Sequence, residues 1–486
     1  MPRSTALRQA VLYGLGILAT KGVSLAMLPV VTAHLPPADY GRLEVLQALA
    51  DVCSILVGFG LVDAFYRFAG DAADADALKR LAATAFGWSM LLSAAIAGPI
   101  VAAAPLLAAW LPGEPPPRAV ALVALTLVLD GCIQMPLAWL RMRDQAARFV
   151  VTSVLRALLQ AALVVVALRA GTGIDGVAAA GLAAALFQAA ILATGQLRAT
   201  GLHLDLAMGA RLLRYAAPLV LSGVAGFFLA GFDRWALAAQ LGPEEMAIYA
   251  LAAKFALVVG LVLQPFGMWW YPRRFVALAG PDGPAASARV AALGVGLGVA
   301  AALAVAVAGP VAIRWLTPPV YHGAAALLPW LAAIHAIKNA GDLMNVGCYV
   351  GRDTVLPTGI GLASAGVLVA GLLALVPVAG VPGAIGAAAA AWTLRLASML
   401  AASQRRVRLP YPAARLAAIA ALGLAGTAAA SLAGPALGPL AAVAAAIGVV
   451  LLTPMPGPRG SAWPMLVAAV SRLLPRPGAC GRSSTG

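Results

Sequence analysis

Apolar residues dominate this chain in runs of about 20, the length that crosses a bilayer as one helix. Short polar stretches separate the runs, and most runs contain few charged residues. The pattern predicts an all-α integral membrane protein with about fourteen transmembrane helices. These helices are predicted to begin near Ala10, Glu44, Leu81, Arg118, Phe149, Ile174, Leu213, Met246, Ala288, Tyr321, Thr354, Val381, Tyr411 and Pro435.

The spacing of the runs divides the chain into groups of six, six and two helices. Residues 1–197 are predicted to form a first six-helix bundle and residues 213–403 a second one, joined by a connecting cytoplasmic segment at 198–212. Residues 404–453 supply two extra helices. Residues 454–486 are rich in Pro, Gly and Arg without periodicity, which predicts a disordered cytoplasmic tail.

Composition and charge support membrane insertion. Hydrophobic residues make up 62% of the 486 residues and charged residues 10%, more apolar surface than one soluble core can bury. The net charge of +15 lies in short basic clusters between apolar runs, which argues against nucleic acid as a partner. The clusters fall in alternate loops, so the positive-inside rule predicts an inner-membrane protein with both termini in the cytoplasm.

The chain lacks the motifs of common catalytic sites. No zinc-protease, nucleophile-elbow or phosphate-loop motif occurs, and the four histidines are scattered. The four cysteines have no metal-ligand spacing. Every predicted loop is also too short for a catalytic domain. We therefore expect no enzyme activity, no metal site and no cofactor.

Two related stretches indicate an internal repeat. Residues 37–68 and 243–275 each begin with a Pro and acidic residues, run through an apolar helix and end at an aromatic and basic motif. Each follows the first helix of its group. Because six helices separate them, both repeats enter from the same side of the membrane, which predicts a parallel repeat with substrate bound between the halves. The Pro and acidic residues themselves have a plain explanation as helix starts.

The same stretches resemble a known family. The sequence LPPADYG at residues 35–41 and FDRWALAAQLGPEEMAIYALAAKF at residues 232–255 are similar to the O-antigen flippase branch, in polysaccharide biosynthesis, of the multidrug/oligosaccharidyl-lipid/polysaccharide (MOP) exporter superfamily. Ala247 departs from the glycine that the family usually has, as at Gly41. The resemblance implies two bundles around a V-shaped, MATE-like cavity. It also implies alternating-access transport of undecaprenyl-pyrophosphate-linked oligosaccharide for surface polysaccharide, with polysaccharide polymerase machinery as a further partner.

Charged residues within the apolar runs are the candidate site, because an ionisable group at that depth is costly and usually functional. Polar residues at helical spacing beside them predict faces that line a shared water-filled cavity between the bundles. The candidate cations are Lys21, Arg156, Lys254, Lys338 and Arg395. The polar or ion-coupling candidates are Asp51, Asp130, Gln134, Asn339, Asp342 and Asp233.

The excess of cations suits an anionic pyrophosphate stripped of water. We expect Lys21, Lys254, Lys338 and Arg395 to hold it. The alternative is that the cations only pair with nearby acids, as Lys338 could with Asp342 one turn away. Asp233 is at least as well explained by packing as by substrate contact. Asp51, Asp130 and Asp342 could couple transport to a proton or sodium gradient.

Other functions stay open at this point. A multidrug exporter of the same superfamily would favour an acidic or aromatic cavity. A membrane enzyme acting on the same lipid carrier would need a long loop with catalytic residues. A purely structural membrane protein would not need so many buried charges.

Overall fold

The computed structural model describes residues 3–350 and 355–454, with the side chains of residues 3–11 and 434–436 left aside. Within those ranges the regular structure is helical throughout. The α-helices are α1 Arg3–Ala26, α2 Leu28–His34, α3 Pro37–Gly58, α4 Leu61–Ala69, α5 Ala75–Ala102, α6 Ala104–Trp110, α7 Pro117–Val128, α8 Asp130–Met142, α9 Ala146–Arg169, α10 Gly173–Thr200, α11 Leu206–Ala230, α12 Phe232–Leu241, α13 Pro243–Trp270, α14 Arg274–Leu278, α15 Gly283–Leu316, α16 Ala324–Leu343, α17 Val355–Arg406, α18 Ala413–Leu432 and α19 Gly434–Leu452.

The all-α membrane fold is confirmed. Eleven helical stretches of the described residues are long and apolar enough to span a bilayer. One of them, α17, has 52 residues and breaks at Gly380, whose backbone (φ 60°, ψ −140°) is not helical. Each part of α17 is therefore long enough for one crossing. Helix α16 and the apolar part of α19 lie outside that set, so the number fourteen stays a prediction.

Several helices begin earlier than the apolar pattern predicts. The second crossing was expected to begin near Glu44, but α3 begins at Pro37 with Asp39 in its first turn. In the same way α13 begins at Pro243 with Glu244 and Glu245 in its first turn. The helix-start interpretation of the repeated Pro and acidic motif is thus confirmed. Glu44 consequently lies two turns inside its helix rather than at the end of it.

The predicted connecting segment at 198–212 is mostly helical. Helix α10 continues to Thr200 and α11 begins at Leu206, where the Asp205 side chain accepts a hydrogen bond from the Met208 amide. Only residues 201–205 lie between the helices. Polar residues of this segment, such as Arg198 and Arg211, belong to the ends of the two helices. Of the predicted tail, 454–486, all but Pro454 lies outside the described residues.

Helices α1 to α10 pack mainly against one another, and α11 to α17 do the same, while α18 and α19 pack together against α15. Between the two groups, the closest partners are α3 and α13, the repeat-related helices. The largest buried apolar cluster includes residues of both, such as Val45 and Met246. The groups therefore meet along the second crossing of each repeat, and α11 also packs against α3, α4 and α5.

One face of the membrane domain is closed where the groups meet. We call it the distal face; it carries the loops around residues 35–36, 111–116, 242 and 317–323. There a Cβ added to Gly41 of α3 would lie 2.0 Å from the Pro243 carbonyl oxygen of α13, so only glycine fits this backbone contact. The Tyr321 hydroxyl donates to the Leu35 carbonyl at 2.7 Å, and the Trp235 indole donates to the Val45 carbonyl at 3.2 Å. These contacts form the distal seal.

The backbone contact also explains the two repeats' different residues at one position. Gly41 faces the Pro243 backbone, whereas its counterpart Ala247 is fully buried with its methyl group accommodated. The halves approach each other asymmetrically, and only the first repeat needs the glycine.

Candidate functional site

Four charged side chains bridge the two groups directly beneath the distal seal. Glu44 of α3 is 1% exposed and binds the ammonium group of Lys254 of α13. Arg234 of α12 lies 3.9 Å from Glu44, measured from Nε to Oε2, and 3.6 Å from Asp51, measured from Nη1 to Oδ2. We call these four residues the distal cluster. Both acids come from the first group and both cations from the second.

Helical spacing places the distal cluster on the surfaces that meet. Gly41, Glu44, Ala48 and Asp51 follow one face of α3. On α13, Lys254 lies seven residues beyond the buried Ala247 and therefore on the same face. The backbone contact at the seal thus sets the distance between the helices. The charges lie about one to three turns deeper.

Arg234 reaches the cluster because the chain bends before it. Gly231 interrupts the helix, so α12 is a separate helix from α11. Asp233 therefore does not continue a face of α11. Asp233 accepts hydrogen bonds from the Arg234 amide at 2.9 Å and from the Tyr249 hydroxyl at 2.6 Å. It fixes the start of α12 and has the packing role that the sequence left open.

An aromatic wall closes one side of the distal cluster. The Lys254 ammonium lies 5.3 Å from the centre of the Tyr40 ring, within cation-π range. Tyr40 in turn packs edge-on against Tyr321 with ring centres 5.8 Å apart. The Tyr40 hydroxyl and Glu44 are both buried and interact with each other, although neither the hydroxyl nor Glu44 Oε2 has a hydrogen bond of good geometry. Tyr40 therefore belongs to the polar surroundings of Glu44 as well as to the packing of Lys254.

A second charged region lies within the second group alone. A cavity of about 540 Å³ is lined by α13 and α16, including His335, Lys338, Asn339 and Asp342. Arg395 of α17 donates to Asp342 at 2.9 Å. We call Lys338, Asp342 and Arg395 the cavity cluster. The polar face predicted on α16 therefore does line a cavity, although that cavity is not shared between the bundles.

The ion pairing in the cavity cluster differs from the expected one. Asp342 pairs with Arg395 of another helix, not with Lys338 one turn away. Lys338 has no ion pair among the described residues and lies 5.3 Å from the Trp392 ring centre. The Arg395 guanidinium lies at the same distance from that ring. Two cations therefore lie near one aromatic ring, and only Arg395 is paired with a carboxylate. Asn339 donates to the Gly294 carbonyl at 3.2 Å, a packing contact between helices.

The remaining candidates belong to the first group. Arg156 of α9 donates to Gln188 of α10 at 3.0 Å, and Gln134 donates to Asp130 within α8 at 3.2 Å. Lys21 of α1 is exposed and has no ion pair among the residues described. The structure thus distributes the predicted residues over separate regions instead of one cavity. Within the described ranges no cluster of His, Cys, Asp or Glu suits a metal ion.

Sequence reasoning missed two members of the distal cluster, Glu44 and Arg234. In the sequence, Glu44 shares a polar face with Asp51 but lies at the start of a predicted helix, where a charge costs little. Arg234 directly follows Asp233 and is absent from the predicted set of buried cations. The available signal was the Pro37 helix start, which moves Glu44 inward by about 10 Å at 1.5 Å per residue.

The fold is shared with solved membrane transporters and a flippase. A lipid II flippase, MurJ in an inward closed conformation, aligns with a TM-score of 0.68 and 9% identity, covering 95% of this chain and 100% of that one. An outward-facing multidrug resistance MATE transporter of the MOP superfamily aligns with a TM-score of 0.54 and 14% identity, covering 83% and 96%. A variant of the Vibrio cholerae MATE transporter VcmN aligns with a TM-score of 0.55 and 17% identity, covering 83% of this chain and 97% of that one.

Sequence similarity assigns the family. Residues 6–276, more than half of the chain, match the model of the polysaccharide biosynthesis protein family, and the chain belongs to that family. No curated protein matches the sequence. The family resemblance and the multi-pass membrane fold predicted from sequence are thereby confirmed. The structures with this fold are transporters and a flippase rather than enzymes, in agreement with the expectation of no catalytic site.

Proposed function

We propose that the protein translocates a polyprenyl-pyrophosphate-linked oligosaccharide, such as an undecaprenyl-linked repeat unit, across the cytoplasmic membrane by alternating access. The family concerns polysaccharide biosynthesis, and a flippase for lipid II shares the fold. The distal face would be the outer face, with both termini in the cytoplasm, as the basic loops predict. Polysaccharide polymerase machinery would receive the product.

The observation that carries the proposal is the excess of cations over acids at membrane depth. Glu44, Asp51 and Asp342 each lie within ion-pair distance of Arg or Lys. Lys338 and Lys21 have no acidic partner in the part of the chain that the structure describes. A desolvated diphosphate suits such unpaired cations, whereas a multidrug exporter of cations would need unpaired acids.

The proposed coupling to an ion gradient has one favoured residue. Of the three acidic candidates, Asp51 and Asp342 are held by arginines. Asp130 is bonded to Gln134 and has no Arg or Lys within 4.0 Å among the described residues. Asp130 is therefore the acid best placed to exchange a proton or sodium ion.

The test is transport by the purified protein. Proteoliposomes would contain a fluorescent polyprenyl-pyrophosphate oligosaccharide, and a membrane-impermeant quencher would report its transfer between leaflets. We expect faster transfer than in protein-free liposomes. The matched control is Lys79→Ala, which removes an exposed lysine paired with an exposed aspartate and should transfer at the parental rate. Absence of transfer, with export of a lipophilic cation instead, would contradict the proposal.

A further inference from the structure

The distal cluster contains an acid, Glu44, beside the two cations that an anionic substrate would bind. Glu44 is buried, belongs to the first group, and neutralises Lys254 while lying near Arg234, both from the second group. The bond from Lys254 to Glu44 joins residues 210 positions apart and contributes to the distal seal. Any anion that binds Lys254 must therefore weaken a contact that holds the two groups together.

Resting on the proposed function, we propose that Glu44 is an internal competitor of the diphosphate: it occupies Lys254 and Arg234 while the distal face is closed, and the substrate releases the seal by taking those cations. The substrate's affinity for the cations then supplies the free energy that separates Glu44 from them. A ligand without affinity for these cations has no differential interaction with the sealed state and cannot open it.

Charge balance favours this reading over a permanent structural pair. Two cations face two acids, and Asp51 is half exposed at 49% while Glu44 is fully enclosed. A diphosphate brings at least two negative charges and can replace both carboxylates, whereas a single phosphodiester replaces only one. The Tyr40 hydroxyl, which lies beside Glu44 and Lys254, can donate to the incoming anion once Glu44 moves away.

The same arrangement explains release. Once the distal face is open, water solvates the cations and the diphosphate alike, which weakens their attraction. When α3 returns to α13, Glu44 recovers Lys254 and displaces the anion. Glu44 is thus a specificity-determining residue that also restores the closed state. Replacing it should raise the affinity for the diphosphate, whereas replacing a residue that merely binds substrate should lower that affinity.

The experiment measures affinity of the purified full-length protein for inorganic pyrophosphate and for a short-chain polyprenyl diphosphate. Removing a competing charge should increase affinity, so Glu44→Gln is expected to bind both at least about tenfold more tightly than the parent, the low end of coupling between close charge pairs. Lys254→Ala should bind more weakly. The matched control is Glu244→Gln, an exposed acid at the start of α13, which should bind as the parent does.

A second readout follows the seal itself. With all four native cysteines replaced by alanine, Ala247→Cys places a thiol at a fully buried position of α13, one turn from Pro243. Glu44→Gln should raise its labelling by a membrane-impermeant maleimide on intact cells even when no lipid-linked sugar is made. In the Glu44 parent, labelling should rise only when that lipid is made.

The outcomes separate the inference from the proposed function. If the parent binds pyrophosphate and Glu44→Gln binds it no more tightly, Glu44 is not a competitor and the inference is overturned. If neither protein binds either diphosphate, the proposed function fails as well. Should Glu44→Gln yield no folded protein, Glu44→Asp decides, because its side chain is shorter by one methylene and should hold Lys254 less well. Affinity equal to or weaker than that of the parent would overturn the inference.

Discussion

The distal cluster and the cavity cluster use the same chemistry in opposite ways. In the distal cluster the acids lie on one helix group and the cations on the other, so every ion pair spans the interface. In the cavity cluster both partners of the Arg395–Asp342 pair belong to the second group, and Lys338 has no acidic partner within the described residues. The first arrangement can hold two bodies together, and the second can only shape a binding surface.

This difference assigns separate tasks to charges that look alike in the sequence. Breaking a distal pair should change both binding and closure of the distal face. Changing the cavity cluster should change binding alone. Measurements of affinity and of thiol labelling at position 247 distinguish the two effects.

The largest effect is expected from Lys254→Ala. It leaves Glu44 buried without its nearest cation, which costs about 3–5 kcal/mol when a buried pair loses one member. We expect the transfer rate in proteoliposomes to fall by at least about a hundredfold. Lys254→Arg should recover part of it. Normal transfer by folded Lys254→Ala would remove the distal cluster from the transport mechanism.

Gly41→Ala should open the distal seal without removing a charge. The added methyl group would collide with the Pro243 backbone, and overpacking of this kind costs about 1–3 kcal/mol. We expect labelling at position 247 to increase about fivefold or more, which corresponds to the lower end of that range. Gly195→Ala is the control, because nothing lies within 4 Å of an added Cβ there. Unchanged labelling would mean that the α3–α13 contact does not close this face.

Lys338→Gln should weaken binding while the seal stays closed. Lys338 lines the cavity and lies beside the Trp392 ring. Among the described residues, no ion pair links it to the first group. We expect about tenfold weaker affinity for a polyprenyl diphosphate, or about 1.4 kcal/mol. Labelling at position 247 should equal that of the parent. Increased labelling would show that the two clusters do not act separately.

Arg156→Gln should have the smallest effect on binding. Arg156 is engaged with Gln188 inside the first group and belongs to neither cluster. We expect affinity to change by less than about threefold, with a loss of thermal stability because a buried amide loses its partner. Equilibrium binding and a thermal melt of the purified protein would measure both. A loss of affinity greater than that of Lys338→Gln would place substrate recognition on the first group.

The sequence predicts the fold well and the site only in part, for a physical reason. Runs of apolar residues determine where helices cross, and proline with acidic residues determines where α3 and α13 begin. Ion pairing depends on residues far apart in the chain: Glu44 meets Lys254, and Asp342 meets Arg395 instead of the nearby Lys338. Helical spacing describes one helix at a time, so it found the polar face of α16 but not the partner of Lys254. The bend at Gly231 likewise redirects Arg234 in a way that hydropathy does not register.

The most direct test of the account compares two lipids that carry the same oligosaccharide, one through a diphosphate and one through a monophosphate. Initial transfer rates would be measured with the parent protein in proteoliposomes. Because two cations are available in each cluster, we predict that the diphosphate lipid is transferred at least about tenfold faster, equivalent to about 1.4 kcal/mol of discrimination. Equal rates for the two lipids would contradict the claim that these cations recognise the substrate.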